Sequence, residues 1–477
     1  MSARVRLNLL ATAVAGLALA GCAAPNVDTA IREATQLAGP VAREGGVVLN
    51  RTDEQRAEAG GRATELLALD LTMDGAAQLA VVNSPAFQAA LATGWGELSA
   101  ANQRGLPGNP IFTFERLRDG NGLELGRLLS IGLVDLVTLP QRRAVARIEG
   151  VRARVRLAGI IVDQANSARQ AWIKAVAARE VERYAEQVRD TADASAELGR
   201  RMQRAGNFTK LQAARQHLFY ADATSRLAMA QQVTVSAREE LTRMLGLTDA
   251  QARELKLPDR LPELPKAPLV AMEVSKAAAD QRLDLKLARL ELEAAGKSRG
   301  VDLLTSVVDV ELGGRHDTNF DAAGGRSNRN GYELDIRLPL FDWGTARRAS
   351  LDARSLAAAN RFEAASRAAS SQARESYSSY RTAYDLARHQ RDEVVPLRKI
   401  ISEENGLRYN GMLIGVFELL ADARDQVSGV IAAIEAQRDF WLADAALWST
   451  LIGRPAMGPA AGSNSWASGT SGSGAGH

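Results

Sequence analysis

The segment GYELDIRLPLFDWG, residues 331–344, decides the fold, because it joins a strand pattern to a very long helical pattern. From Gly331 to Pro339, apolar and charged side chains alternate with a period of two, which is typical of a strand with one apolar and one solvated face. The apolar face carries Tyr332, Leu334, Ile336 and Leu338, and the other face carries Glu333, Asp335 and Arg337. The helical pattern that follows runs from about Thr345 to Arg408, and at a rise of about 1.5 Å per residue it spans roughly 100 Å. The sequence therefore predicts a sheet attached to helices far longer than those of a compact domain.

The same order of elements occurs twice along the chain. We expect residues 69–256 and 269–457 to form two tandem repeats, each with a helix, two strands, a long helix and a shorter closing helix. The predicted strands lie at about 109–118 and 128–139 in the first repeat and at about 303–314 and 331–340 in the second, with a solvated loop over 313–330. Landmarks agree in order, since Leu139-Pro140 corresponds to Leu338-Pro339 and Gly206 corresponds to Gly411. Residues 257–268 are rich in proline, which cannot continue a helix, and this predicts a linker between the repeats.

The N-terminus predicts export and a lipid anchor. Residues 1–21 have a basic start and an apolar stretch that is too short for a comfortable transmembrane helix, which favours a cleaved signal peptide. The stretch ends at Leu19-Ala20-Gly21-Cys22, which resembles the lipobox of bacterial lipoproteins, and Cys22 is the only cysteine in the chain. We expect lipid attachment at Cys22 and an outer-membrane location, since Ala23 stands where an inner-membrane retention signal would have Asp. The alternative is an ordinary signal with an incidental cysteine.

The two ends of the mature chain differ in composition. Residues 22–68 are expected to form a lipidated, extended N-terminal segment. Residues 458–477 are rich in Gly and Ser and predict a disordered tail.

Four predicted strands cannot close a membrane barrel, since the smallest known barrels need about eight. An open strand edge exposed to lipid is not tolerated in a bilayer. If these strands cross a membrane, several chains must therefore share one barrel. The alternative is a soluble sheet packed on helices, and the export signal and the long helices favour the shared barrel.

Charge and composition favour neither nucleic-acid binding nor catalysis. Loss of Arg4 and Arg6 with the signal lowers the formal net charge from +3 to +1, so no strongly basic surface is indicated. The four histidines have no metal-ligand spacing, and no phosphate-binding loop of the required form is present. We expect no enzyme activity, no cofactor and no metal site.

The repeat landmarks and the N-terminal motif resemble those of the TolC-like outer-membrane efflux proteins, many of which have a lipoprotein N-terminus. The similarity extends from about Leu69 to Gly453. It rests on Leu71-Thr72-Met73-Asp74, Asn83-Ser84-Pro85, Arg337-Leu338-Pro339-Leu340-Phe341-Asp342-Trp343-Gly344, Ala205-Gly206, and Tyr409-Asn410-Gly411 through Leu419-Leu420-Ala421. Pro85, Pro140, Pro339, Phe341 and Gly344 are its structural motif residues. The resemblance implies a mainly α protein with a membrane β-barrel, in which three chains form a periplasmic α-barrel and share a twelve-stranded β-barrel.

The function that this resemblance implies is that of a passive exit duct across the periplasm, in a tripartite efflux or secretion system. A periplasmic adaptor (membrane-fusion) protein would hold the tips of the duct, and an inner-membrane pump would deliver the substrate. The substrate itself, whether a drug, a metal ion or a polypeptide, stays open. A lipid-anchored periplasmic coiled-coil scaffold or adaptor protein is the alternative function.

The resemblance places the periplasmic tips at the turns that follow the two long helices, and these turns contain Gly206, Asn207 and Gly411. We expect both glycines to favour a left-handed turn backbone. Some members of the family have aspartates just past the second turn, where this chain has Phe417 and Leu420, with Glu418 and Asp422 as the nearest acids, and Lys210 occupies the first turn. The candidate gate residues are therefore Phe417, Glu418, Leu420 and Lys210, and they indicate an apolar constriction. Phe417 and Leu420 could instead be packing residues between neighbouring helices.

Overall fold

The computed structural model describes residues 26–39, 46–120, 122–271, 282–307, 309–321, 325–337, 341 and 343–454. The predicted signal peptide, Cys22, Pro339 and the C-terminal tail lie outside the described residues. Within the described ranges, no helix combines the length and the apolar character needed to cross a membrane.

The predicted order of elements is confirmed in both repeats. The first repeat contains helices α3 (Met73–Asn83) and α4 (Pro85–Arg104), strands β1 (Ile111–Asp119) and β2 (Gly122–Gly132), the long helix α5 (Leu133–Arg204), the closing helix α6 (Lys210–Leu245) and the short helix α7 (Asp249–Glu254). The second contains α8 (Leu283–Val307), β3 (Asp309–Phe320), β4 (Arg326–Arg337), α9 (Thr345–His389), a π-helical segment (Gln390–Val394), α10 (Val395–Asn410) and the closing helix α11 (Val416–Leu451). A π-helical segment therefore interrupts the second long helix, while the first is continuous.

The strands differ in their bounds from those expected, at about 128–139 and 303–314 above all. The apolar run after residue 132 is the first turn of α5, where the Thr138 hydroxyl donates a hydrogen bond of 2.7 Å to the Val134 carbonyl. Arg142 pairs at 2.9 Å with Asp135 in the same turns, and the helix continues through Pro140. Most of the expected loop over 313–330 is strand instead, because backbone pairing extends a hairpin through polar residues that show no apolar alternation.

The N-terminal segment is not fully extended, as it contains α1 (Val27–Ala38) and α2 (Asp53–Ala68). Helix α2 begins with a capping box, in which the Thr52 side chain accepts from the Gln55 amide and the Gln55 side chain accepts from the Thr52 amide. Ala63 and Leu67 are four residues apart and both are buried, so one face of the helix is packed.

The chain divides into two compact units. Among the described residues, the sheet unit comprises 26–34, 91–157 and 284–367, and it contains all four described strands. Its helices are joined by ion pairs such as Arg361–Glu291 at 2.8 Å and Arg299–Asp352 at 2.6 Å.

Among the described residues, the helical unit comprises 35–90, 158–283 and 368–454. Its main core is rich in alanine around Trp172, whose indole N–H donates to the Leu71 carbonyl at 2.7 Å. The proline-rich segment 257–268 belongs to this unit and is packed rather than free. Leu257, Leu261 and Leu264 are buried, and the Pro262 carbonyl accepts from the Trp441 indole at 3.0 Å.

Candidate channel-forming sheet and helix turns

The four strands form one antiparallel sheet in the order β1-β2-β3-β4. One row of neighbours across it runs Phe112, Leu129, Gly314 and Tyr332. Strands β1 and β4 each pair with only one neighbour among the described residues. A single chain therefore has a sheet with two open edges.

One face of this sheet, which we call the apolar face, carries large apolar side chains that are exposed in the single chain. They are Phe112, Phe114, Leu129, Leu312, Tyr332, Leu334 and Ile336, and Tyr332 is 86% exposed. The alternation predicted for β4 is confirmed, since Leu334 and Ile336 share this face with Tyr332. Soluble monomers rarely expose so continuous an apolar surface, so this face requires a partner or a membrane.

The opposite face, which we call the polar face, is organised around Arg315. Its guanidinium contacts Asp317 at 3.0 Å, Glu115 at 3.1 Å and Glu333 at 3.5 Å, so one cation joins three strands. The strand between them passes beneath at Gly126, where an added Cβ would lie 3.3 Å from an Asp317 oxygen and 3.4 Å from an Arg315 nitrogen. Glycine at this position leaves room for the Arg315 network. The sequence pattern did not indicate this network.

The first turn, after α5, has the left-handed backbone that was predicted at Gly206, with φ of +79°. The Gly206 amide donates to the Gln203 carbonyl at 3.0 Å, and the Asn207 amide donates to the Met202 carbonyl at 2.9 Å. These two bonds are those of a Schellman motif, which satisfies the last carbonyls of a helix.

The second turn, after α10, has the same motif shifted by one residue. The Met412 amide donates to the Tyr409 carbonyl and the Leu413 amide donates to the Arg408 carbonyl, both at 2.9 Å. The left-handed residue is Met412, with φ of +58°, and it is the one non-glycine residue with positive φ in the described chain. The expectation for Gly411 is wrong, since its φ is −79°. The counterpart of Gly206 is therefore Met412, whose side chain is 93% exposed.

The closing helices begin differently after these turns. At α6, Thr209 and Gln212 form a reciprocal capping box, whereas Gly415 before α11 provides no side-chain hydrogen bond. Lys210 is the first residue of α6, and Glu418 lies in the first turn of α11. Both side chains are exposed.

The candidate gate residues of α11 are placed as follows. Leu420 is half-buried and packs against a cluster of Ala192, Phe219 and Ala223 in the same chain. Arg424, one turn further on, lies 5.5 Å from the centre of the Phe219 ring and 3.5 Å from Asp222. Residue 417 is within α11, but the side chain of Phe417 lies outside what the structure describes.

The Asn83-Ser84-Pro85 motif joins the start of the first repeat to its end. The Asn83 side-chain amide donates to the carbonyls of Leu245 at 3.2 Å and Gly246 at 2.9 Å. An added Cβ at Gly246, whose φ is +67°, would lie 2.6 Å from the Pro85 ring. The motif therefore has a packing role. Of the remaining motif residues, Gly344 has φ of +73° directly before α9, and Phe341 is 99% exposed.

Among the described residues, no three His, Cys, Asp or Glu side chains are grouped so as to hold a metal ion. The candidate functional features of the described chain are the two-faced open sheet and the two helix turns.

The chain is similar in fold to solved membrane proteins, among them an outer-membrane channel. The crystal structure of the outer-membrane protein VceC from Vibrio cholerae aligns with a TM-score of 0.65 and 16% identity, over 82% of this chain and 96% of that chain. The CmeC outer-membrane channel of Campylobacter jejuni aligns with a TM-score of 0.64 and 13% identity, over 84% of this chain and 86% of that chain. A membrane protein from Pseudomonas aeruginosa aligns with a TM-score of 0.67 and 17% identity, over 80% and 93% of the respective chains.

Neither a protein-family model nor a curated protein sequence matches the chain. The structural similarity nevertheless covers most of each molecule, and the chain has the fold of the TolC-like outer-membrane efflux channels.

Proposed function

We propose that this chain is one subunit of a homotrimeric outer-membrane duct, which gives substrates a passive exit path across the periplasm and the outer membrane. The observation that carries the proposal is the open sheet of four strands with an exposed apolar face. An unpaired strand edge and an exposed apolar face are both unfavourable for a soluble monomer. A ring of chains in a membrane would satisfy both, because each open edge pairs with the next chain and the apolar face meets lipid.

The dimensions of the sheet agree with this proposal. Strands β3 and β4 have 12 residues each, which at about 3.3 Å per residue span roughly 40 Å. Tilted by about 45°, such a strand covers roughly 28 Å along the membrane normal, so a strand whose hairpin end lies among the headgroups still has its other end inside the hydrocarbon core. Three chains would contribute twelve strands, which makes a wide barrel with room for a passage.

The polar face would line the passage. Around Arg315, three carboxylates surround one guanidinium, so the network keeps a net negative charge. The same network joins β1, β3 and β4, and it would stiffen the wall of the barrel at the level of Gly126. The proposed transport is passive, and this face offers hydration and charge rather than chemistry.

The placement of α1 supports a lipid anchor at Cys22. Helix α1 packs in the sheet unit, where Ala30 lies against Leu98 and Ala153 and Glu33 forms an ion pair with Arg154. Cys22 precedes Asn26 by four residues, so their Cα atoms are at most about 14 Å apart. A lipid on Cys22 would therefore be tethered to the unit that contains the sheet. Incorporation of labelled palmitate into the native chain, and its absence in Cys22→Ala, would test this attachment.

We propose that the two helix turns contact a periplasmic adaptor, which in turn joins an inner-membrane pump. Met412 and Leu413 support this role, since both are largely exposed at the second turn. Next to the turns, Lys210, Phe417, Glu418 and Leu420 remain the candidate constriction. If Leu420 narrows the entrance, Leu420→Ala should raise single-channel conductance in planar bilayers, whereas unchanged conductance would leave it a packing residue against Phe219.

A pair of substitutions tests the orientation of the sheet. Leu334→Arg places a charge on the apolar face, where a lipid-facing arginine costs about 2–4 kcal/mol near the middle of a bilayer. Asp335→Arg introduces the same side chain on the next residue, on the polar face. We expect Leu334→Arg to lower the yield of heat-resistant trimer in the outer membrane and Asp335→Arg to assemble. Equal yields would contradict a lipid-facing apolar face.

The competing function is a lipid-anchored periplasmic scaffold or adaptor protein. Light scattering in detergent separates the two, because a duct would have about three times the chain mass of 51.0 kDa. The trimer should also form discrete conducting steps in planar bilayers. A monomer that is soluble after removal of the lipid, and that conducts no ions, would favour the scaffold.

A further inference from the structure

The apolar face of the sheet changes character along the strands. Toward the ends that the later helices adjoin, its rows are apolar, as in Leu312 beside Leu334 and Val310 beside Ile336. Toward the two hairpin ends, the face carries four arginines. They are Arg116 and Arg118 on β1, Arg127 on β2 and Arg326 on β4.

The register places these arginines in three successive rows. The row nearest the hairpin ends runs Arg118, Leu123, Phe320 and Arg326, the next contains Arg116, and the third contains Arg127 between Phe114 and His316. Neighbouring rows on one face are separated by two residues, or about 6.7 Å. The four guanidinium groups therefore occupy a band roughly 13 Å high, which we call the basic band.

The described strands have no acidic residue on the face of the basic band. None of the described strand residues on this face is Asp or Glu, whereas Glu115, Glu124, Glu311, Asp317, Glu333 and Asp335 all have the opposite parity and lie on the polar face. The described chain forms no ion pair with any of the four arginines, although Arg315 on the polar face has three carboxylate partners. Arg116, Arg118 and Arg326 are exposed, and Arg127 is half-buried.

We propose that the basic band binds the phosphate groups of a phosphorylated glycolipid in the outer leaflet of the membrane. The proposal rests on the proposed function, because it takes the apolar face to be in contact with lipid. In that orientation the apolar rows lie in the hydrocarbon region, and the band at the hairpin ends lies at the headgroups. A guanidinium offers two parallel N–H donors to phosphate and stays charged at all relevant pH values. Four of them on a face whose strand residues include no acid favour an anionic ligand at this level of the membrane.

The aromatic side chains beside the band agree with this position. Phe114 adjoins Arg127 in one row, and Tyr332 lies one row closer to the apolar end. Aromatic residues of membrane barrels concentrate at the boundary between hydrocarbon and headgroups. The ligand is thus identified as a lipid with an anionic headgroup, and not as a soluble phosphate that would approach from water.

The test compares a variant of the basic band with a matched arginine on the polar face. The full chain is purified as a trimer and reconstituted with vesicles of phosphatidylethanolamine that contain either bisphosphorylated lipid A or lipid A without its phosphates. Lipid A that remains bound to each trimer after detergent extraction is counted by native mass spectrometry. The test variant is Arg116→Gln/Arg118→Gln/Arg127→Gln/Arg326→Gln, and Arg326→Gln is compared singly with Arg329→Gln, which is exposed on β4 but faces the other way.

We expect the native trimer to retain bisphosphorylated lipid A and to lose the dephosphorylated form. Each arginine removed from the band should lower the affinity roughly fivefold, while Arg329→Gln should bind as the native chain does. Equal retention of the two lipids, or full retention by the fourfold variant, would overturn the proposal. Displacement of lipid A by millimolar inorganic phosphate would also overturn it, because it would indicate a simple anion site.

Conductance in planar bilayers separates this proposal from the duct itself. The fourfold variant keeps the apolar rows and the polar face, so it should still form conducting trimers. If the native chain neither forms trimers nor conducts, the proposed function fails. If the native trimer conducts but binds both lipids alike, the basic band fails alone.

Discussion

The two helix turns have the same left-handed backbone conformation, but the residues at that position favour it to different degrees. Gly206 occupies the left-handed position of the first turn, and Met412 occupies the same position of the second. A left-handed backbone brings the Cβ of an L-residue close to the following carbonyl oxygen, at a cost of roughly 1–2 kcal/mol. Strain of this kind is concentrated at functional sites, so the second turn is the one where we expect a partner or a conformational change.

The helices on either side extend the same contrast. The first closing helix begins with a capping box at Thr209, and the second begins at Gly415 without a side-chain cap. The long helix before the second turn contains the π-helical segment Gln390–Val394, and such segments occur frequently at functional sites. We therefore expect the second hairpin to be the less stable one.

The closing helices also differ at Arg238 and Asp444, which occupy the same position counted from the first residue of each helix. The Arg238 guanidinium donates to the carbonyls of Ala252 at 2.8 Å and Leu255 at 3.1 Å. Burial raises the pKa of Asp444 to about 6, and the nearby Arg169 only partly opposes this. In the first repeat, hydrogen bonds to two carbonyls satisfy the Arg238 guanidinium. In the second repeat, burial of the Asp444 carboxyl disfavours its ionised form.

The largest effect is expected from Asp444→Asn. Because the folded pKa of Asp444 lies above its usual value, the folded state binds the proton more tightly than the unfolded state does. The stabilising contribution is complete below about pH 4 and is lost as the pH rises through about 6, which amounts to roughly 2–3 kcal/mol. Asparagine cannot ionise, so Asp444→Asn should raise the free energy of unfolding at pH 8 and flatten its dependence on pH between 4 and 7. Urea denaturation at several pH values measures this.

The matched control for that experiment is Asp439→Asn. Asp439 lies in the same helix, but its side chain is 58% exposed and pairs with Arg438. Its replacement should not raise the free energy of unfolding at pH 8, because no buried carboxyl is removed. If the profiles of native protein and Asp444→Asn run parallel, the buried carboxyl is not the cause.

The next largest effect tests which glycine of the two turns has the left-handed backbone. Gly206→Ala forces an alanine into a left-handed backbone and should lower the free energy of unfolding by about 1–2 kcal/mol. An added Cβ would meet no atom within 4 Å at this position, so the cost is conformational. Gly411→Ala, at negative φ, should be neutral or should stabilise by about 0.4–1 kcal/mol. A larger loss at Gly411 than at Gly206 in urea denaturation would reverse the assignment of the two turns.

A smaller gain is expected from Met412→Gly. Glycine adopts the left-handed backbone without the Cβ contact, although it also adds entropy to the unfolded chain. We expect a net stabilisation of about 0.5–1 kcal/mol, visible as slower hydrogen exchange of the amides around Leu413. Met412→Ala keeps the conformational cost and removes the exposed side chain, so it should show no gain. Equal behaviour of the two variants would mean that the second turn is not strained.

The smallest effect concerns the cap of the second closing helix. Serine at an N-cap exceeds glycine by only a few tenths of a kcal/mol. Gly415→Ser should therefore slow hydrogen exchange in the first turn of that helix by less than about twofold. Gly415→Ala, which adds no acceptor, should not slow it. If serine has no effect either, the absence of a cap does not account for the difference between the turns.

Most of the architecture could be predicted from the sequence, because its signals are local and repeated. Period-2 alternation around Leu334 indicates a strand, and the run from Gln141 to Arg204, which contains no proline, indicates a long helix. The duplicated order strengthens each assignment. The first and last residues of the strands were less predictable. The apolar residues after position 132 suit either a strand or the first turn of a helix. In the folded chain they begin α5, where Thr138 bonds to Val134 and Arg142 pairs with Asp135.

The sequence by itself determined the two repeats, the four strands, the long helices and the approximate position of both turns. Only the tertiary structure decided which residue of the second turn is left-handed, that Arg315 joins three strands above Gly126, and that four arginines share a face without an acid. The physical reason is register. A shift of one residue moves a side chain to the other face of a sheet, and it exchanges Gly411 for Met412 at the left-handed position. In the sheet, pairing between distant strands decides the register. In the second turn, the hydrogen bonds donated by Met412 and Leu413 decide it.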